Sequence, residues 1–381
     1  MLTFAALGLA FSSIFGSGHL PGPLKLVIVL IDILVVFGAF AAFRWWAPRS
    51  RHPSFVRAFA LSAAIIGLGG LTLCSGIFSK DQSGIALAQT QVTAPAKTIS
   101  IGNMRFDMYG AQNAPGPALI LIPSLSMGSW EWQSTIGAFS NDHAVYAATM
   151  SGFDGAPASP PPYVAQADTA VMHLVSQENL KQPVLIGHGF GGHIAIRLIE
   201  EHPDAFGGAV IVDETPYFPP LAVGQTPQDR AQKIASFSDA IASAPDWIYQ
   251  DQTRSTIATL VTDPARAGEV ADHSLRSDRT TLAGAMSEMS MEDLRPNLAK
   301  IDKPLLVIAP VSQQAPYMND QLRALQPAQL DQAIHDYYVS QYPGARTLTV
   351  LTIDNSKDFV MLDQPDLFNQ DLRAFLSTLP K

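Results

Sequence analysis

The stretch VLIGHGFGGHIAIRLIEEHPD, residues 184–204, decides the fold. It opens, with Pro183 before it, on an apolar run without alternation, the pattern of a strand buried on both faces. A glycine-rich turn, GHGFGG, follows, and then a helix to about Glu201. A buried strand that turns sharply into a helix is half of a parallel β-α-β unit.

Reading outward, the same grammar recurs. ALILIP (118–123), VYAATM (145–150), AVIVD (209–213), KPLLVIAP (303–310) and RTLTVLTI (346–353) read as further buried strands. Helices are expected over about 164–180 and 366–378. Ile99, Ile101, Met104, Phe106 and Met108 alternate on either side of Gly102-Asn103, a hairpin signal. Apolar strands alternating with helices predict an α/β fold, a parallel-rich sheet with helices on both faces. Residues 215–296 interrupt the rhythm with polar, helical sequence and read as an inserted helical cap. The expected organisation is a membrane segment (1–78), a linker (79–97) and a soluble domain (98–381).

The soluble part resembles the α/β-hydrolase family over about 99–379. The segments that carry the likeness are LILIPSLSMGSWEW, YAATMSGFDGAP, VLIGHGFGGHIAIRLIEEHPD, VIVDETPY, LRPNLAKIDKPLLVIAP and NSKDFVMLDQPDLFNQDLRAFL, in family order and at family spacing. The resemblance implies hydrolysis of esters, amides and related bonds by a Ser-His-acid triad, without a cofactor or metal.

The residues for that triad are missing. The nucleophile belongs at the centre of G-x-S-x-G, on the turn between strand and helix. Here that position is Gly189. The base belongs in a stretch that family members often write SxHFxMxDQP, and here Asp358 stands in its place. None of the nine histidines lies in the last 46 residues. The acid after the 303–310 strand would fall near Ser312 or Gln313, and neither ionises. Asp213 alone sits where some family members keep an acid. The degenerate triad positions are therefore Gly189, Asp358 and Asp213. A triad acts as a unit, so its remnants do not share the work. An elbow strains its central residue, and glycine relieves that strain.

Pocket lining is expected from Ser124, Leu125, His188 and Phe190, with Ser126 nearby. An isolated serine without a base is a weak nucleophile. His188 is expected to pack beneath the turn. Its five-residue spacing from His193 does not put both on one helical face, so no metal pair is expected. Asp213, Glu214 and Asp358 read either as solvated loop acids or as a carboxylate group at the pocket mouth.

The first 78 residues are of another kind. They hold five basic residues and one acid, Asp32, whereas the remaining 303 hold 19 basic and 32 acidic ones, for a net charge of −9 overall. Residues 26–43 carry one charge in 18 positions and residues 58–78 none in 21, each enough to cross about 30 Å of hydrocarbon. Residues 2–18 are a marginal third span. The loop RWWAPRSRHPSFVR (44–57) carries four arginines and two tryptophans, so the positive-inside rule makes it cytoplasmic. The expected location is a bacterial-type inner membrane, with the soluble domain on the periplasmic side. Ala86-Leu87-Ala88 has the form of a signal-peptidase site, but two apolar runs precede it. Asp32 lies within a span, and Ala60, Ala63, Ala64 and Gly67 form a small-residue stripe suited to helix packing.

Composition narrows the partners. The acidic soluble domain argues against nucleic acid, which needs a basic face. Cys74, the single cysteine, rules out an intrachain disulfide framework. The expected function is that of a catalytically inactive, membrane-anchored accessory or scaffold subunit of a membrane complex, in contact with lipid and other membrane-protein subunits. The alternatives are an active hydrolase with a non-standard site and a protein that binds an apolar small molecule or lipid.

Overall fold

A computed structural model of the chain describes residues 94–217, 226–314 and 320–380. The expected spans, with Asp32, Ala60, Ala63, Ala64 and Gly67, lie outside the described residues. Among the described residues no helix is long and apolar enough to cross a membrane.

Eight strands form one sheet: β1 (Lys97–Ile101), β2 (Met104–Tyr109), β3 (Leu119–Ile122), β4 (Val145–Met150), β5 (Val184–His188), β6 (Gly208–Val212), β7 (Leu305–Val311) and β8 (Leu348–Asp354). Their spatial order is β1-β2-β4-β3-β5-β6-β7-β8. The β1–β2 hairpin joins β4 antiparallel, and every pair from β4 to β8 is parallel. The expected linker gives up its end to this sheet: Ala96 already donates to the Met108 carbonyl at 2.8 Å, and Lys97 opens β1.

Strand residues alternate between two cores. Ile120, Ile122, Leu185, Ala209, Ile211, Leu305 and Val307 face one side. There they meet helices α2 (Tyr163–Gln177), α3 (Phe190–Glu201) and α8 (Pro327–Gln341). Leu119, Leu121, Val184, Ile186, Val210, Leu306 and Ile308 face the other, against α1 (Gln133–Phe139) and α9 (Pro365–Thr378). Both faces are covered, which is why the strands read as continuous apolar runs.

Between β6 and β7 the chain inserts four helices: α4 (Pro227–Ser243), α5 (Asp246–Leu260), α6 (Pro264–Ser274) and α7 (Arg279–Met291). Asp and Thr side chains cap three of them, Thr226 on α4, Asp263 on α6 and Asp278 on α7. This insert is fastened to the core at several points. Glu288 on α7 accepts hydrogen bonds from the N–H groups of Tyr163 (2.7 Å) and Val164 (2.9 Å), and so caps a core helix. Glu292, just past α7, pairs with His193 at 2.7 Å and Arg197 at 2.6 Å. At the other end Asp278 N–H donates to the Gly152 carbonyl at 2.7 Å, and Ser277 Oγ to the Ser126 carbonyl at 2.9 Å.

Because the insert supplies the cap of α2, truncating it should cost the core. Glu288→Ala is expected to lower the unfolding free energy by about 1–2 kcal/mol in urea titrations, and Glu288→Gln by less, since the amide oxygen still accepts. Equal losses for the two would show that the carboxylate's charge, not its acceptor, holds the helix end.

Candidate functional site

The sharp turn lies where the sequence puts it. β5 ends at His188, α3 begins at Phe190, and Gly189 between them has φ 50° and ψ −115°. A non-glycine residue is strained there by about 1–3 kcal/mol. The turn also lies tight against β3: a Cβ on Gly191 would stand 2.0 Å from the Ile122 carbonyl oxygen.

The space above Gly189 is already filled. A Cβ built on it would lie 2.6 Å from Ser124 Oγ, so the Ser124 hydroxyl occupies the room a nucleophile's side chain needs. Ser124 is held there by its own N–H, which donates to Glu131 Oε2 at 3.0 Å. The other oxygen of Glu131 meets His188 Nδ1 at 2.6 Å. His188 Nε2 faces Asp358 Oδ2 at 3.4 Å, and the Phe359 ring stands edge-on to the imidazole with centroids 5.0 Å apart.

His188 thus packs beneath the turn, sandwiched between two acids. The side chains of His188 and Glu131 have no exposure, whereas that of Asp358 keeps 25 %. Burial alone would neutralise the imidazole, but the charges of Glu131 and Asp358 overcome it and hold His188 well above its ordinary value. Burial pushes Glu131 up, against the pull of His188. With a carboxylate on each side, the proton belongs on the imidazole.

Asp213 follows β6 and meets Asp358. Its N–H donates to the Ile308 carbonyl at 3.0 Å, and the Tyr338 hydroxyl from α8 donates to its Oδ1. Burial, then the charge of Asp358, pushes Asp213 up to about 8. Burial likewise lifts Glu214 to about 8, though the Thr215 N–H donates to its Oε1 at 2.8 Å. Both are shifted towards the protonated form at neutral pH. The reading of Asp213 and Glu214 as solvated loop acids is therefore corrected: Glu214 is 6 % exposed, and the turn after β6 folds under α8, where Tyr342 donates to the Glu214 carbonyl at 2.8 Å.

The expected pocket residues separate into two groups. Ser124, Leu125, His188 and Phe190 gather at the elbow. Ser126 does not, because its hydroxyl pairs with Ser274 of the inserted helices at 2.8 Å. The N–H groups of Leu125 and Phe190 have no acceptor among the described residues, and they fall where the family resemblance would put the oxyanion donors. His193 points away, to Glu292. Among the described residues no group of three His, Cys, Asp or Glu is placed to hold a metal. Sequence reasoning missed Glu131 and Tyr338. Glu131 carries a signal, a lone acid between Trp130 and Trp132, whereas Tyr338 sits on a helix 125 residues from Asp213 and carries none.

The protonated acids fix the sign of a pH dependence. Asp213 binds its proton far more tightly folded than unfolded, so its contribution to stability is lost as pH rises from about 4 towards 8. His188 acts in the same direction above its unfolded value. The domain should melt at lower temperature at pH 9 than at pH 6. Asp213→Asn should flatten that slope by up to about 1.4 kcal/mol per pH unit, since one proton no longer differs between the states. An unchanged slope would mean that Asp213 is ionised in the fold.

Comparison with known proteins places this geometry. Among solved structures the chain is similar to a hydrolase from Pseudomonas aeruginosa PA01, with 17% identity, a TM-score of 0.59, and 74% of this chain and 98% of that one covered. It is also similar to a thermophilic esterase from Thermogutta terrifontis (15% identity, TM-score 0.57, 74% and 98% covered) and to MenH from S. aureus (14%, 0.56, 71% and 97%). At such identities the likeness is one of fold. No functionally curated protein matches the chain. The family model described as "Alpha/beta hydrolase family" matches residues 119–371, from β3 through the elbow to α9, and the chain belongs to that family.

Proposed function

We propose that this protein keeps the hydrolase fold without acyl-enzyme chemistry, and serves as a membrane-tethered accessory or scaffold subunit of a membrane complex. The observation that carries the reading is the pair Gly189 and Ser124: the nucleophile has no side chain, and a hydroxyl held by Glu131 stands in its room. At the base position stands Asp358, paired with a buried imidazole that a substrate does not reach. The apolar runs at 26–43 and 58–78 supply the tether, and the arginines at 44–57 put residues 79–381 on the periplasmic side. The small-residue stripe Ala60, Ala63, Ala64 and Gly67, with Asp32 in the preceding run, is suited to contact with another membrane subunit.

One observation favours a second reading, hydrolysis by a non-standard site. Ser124 Oγ, Asp358 and the protonated Asp213 border the same elbow, beside free N–H groups, and several neighbours in fold are hydrolases by name. A base and an acid are thereby present, though neither is an accessible imidazole.

The purified protein should form no adduct with serine-directed phosphonates and should not hydrolyse p-nitrophenyl esters above background. Gly189→Ser alone should not create activity, and should lower stability by about 1–3 kcal/mol through its φ and the Ser124 contact. Turnover that Ser124→Ala or Asp358→Asn abolishes would overturn the first reading in favour of the second. For the tether, a reporter fused after Lys381 should be active only outside the cytoplasm, and cytoplasmic activity would refute the topology.

A further inference from the structure

The two edges of the sheet are built differently. At the β1 edge Lys97 is bridged to Glu178 at 2.8 Å, and β2 beside it carries Arg105. Charges of this kind blunt an edge against pairing. β8, at the other edge, reads LTVLTID and has neither a proline nor a charge before Asp354. Leu305 N–H donates to the Thr347 carbonyl at 3.2 Å, which fixes the parity of the strand. The main-chain groups of Thr347, Thr349, Leu351 and Ile353 face β7, and those of Leu348, Val350 and Thr352 face outward.

Beside this edge runs a groove of about 590 Å³, lined by His335, Val339, Tyr342, Leu348, Thr349 and Val350 among others. Val339, which lines it from α8, is 43% exposed. Arg346 precedes β8 and Asp354 ends it. Both are exposed, and neither makes an ion pair among the described residues. Val350 lies midway between them.

We propose that β8 is the docking edge for a second copy of this chain, related by a two-fold axis through Val350. Antiparallel pairing about that residue sets Val350 against its equivalent and Leu348 against Thr352 in both directions. Every outward N–H and C=O of the three residues then finds a partner. The same register carries Arg346 of each copy to Asp354 of the other, at both ends of the interface. An arbitrary extended peptide would satisfy the main chain but not both free charges, and this self-complementarity selects a second copy. Leu348, Val350 and Thr352 share the face of the groove, so the copies extend one another's apolar surface over α8. The inference does not depend on whether the elbow is catalytic.

The test uses the full chain in mild detergent, with its mass read by light scattering across a concentration series. The wild type should be a dimer. Arg346→Asp or Asp354→Arg alone should raise the dissociation constant about tenfold or more, and the two together should restore it to within about threefold. Thr352→Pro, which removes an outward N–H that finds no acceptor among the described residues, should give monomer without lowering the melting temperature. A monomeric wild type overturns the proposal. So does a dimer that ignores both charge reversals and Thr352→Pro, since it would then assemble through another surface.

Discussion

Two ionisable groups with no exposure, Glu131 and His188, meet at 2.6 Å beneath the elbow, and the site is arranged around them. Breaking such a buried pair on one side typically costs about 3–5 kcal/mol. The pair joins three parts of the fold. Glu131 comes from the loop after β3, His188 ends β5, and the free face of the imidazole meets Asp358 from the loop after β8. The second oxygen of Glu131 takes the Ser124 N–H, which sets the hydroxyl over Gly189. The bare turn at Gly189 is thus one face of a connected arrangement. A side chain at 189 would displace the Ser124 hydroxyl and disturb the N–H that Ser124 donates to Glu131.

The same arrangement inverts the electrostatics that the family's chemistry relies on. An acyl-transfer site gathers positive potential where an oxyanion forms and keeps a neutral imidazole ready to take a proton. Here the buried imidazole of His188 is held towards its charged form beside Glu131 and Asp358, and burial favours the proton on Asp213. The turn keeps the positive φ of Gly189, and the N–H groups of Leu125 and Phe190 find no acceptor among the described residues.

How far the sequence could be read follows from what each feature depends on. The strands were legible because burial on both faces leaves runs such as LILI and VLIGH without polar residues, and the glycines at 187–192 fix the turn between them. The place of Gly189 on the turn was legible because glycine spacing marks a strand that turns sharply into a helix. The protonation of Asp213 and Glu214 was not, since it depends on α8 packing over a turn more than a hundred residues away. Glu131 stood out in sequence only as a lone acid between two tryptophans, and its role depends on the three-dimensional approach of His188. The end of the linker was misplaced by two residues because Ala96 and Lys97 are held by strand pairing, to which composition is blind.

The capping of α2 by Glu288 bears on how the molecule unfolds. An inserted helical unit of this kind is often a lid that opens while the body stays intact. Here, opening it bares the first N–H groups of a core helix and leaves Arg197 and His193 without Glu292. Opening of the insert is therefore coupled to fraying of a core helix, and the two cannot be treated as independent. Loosening of α7 should accordingly be felt as faster exchange at the first-turn amides of α2.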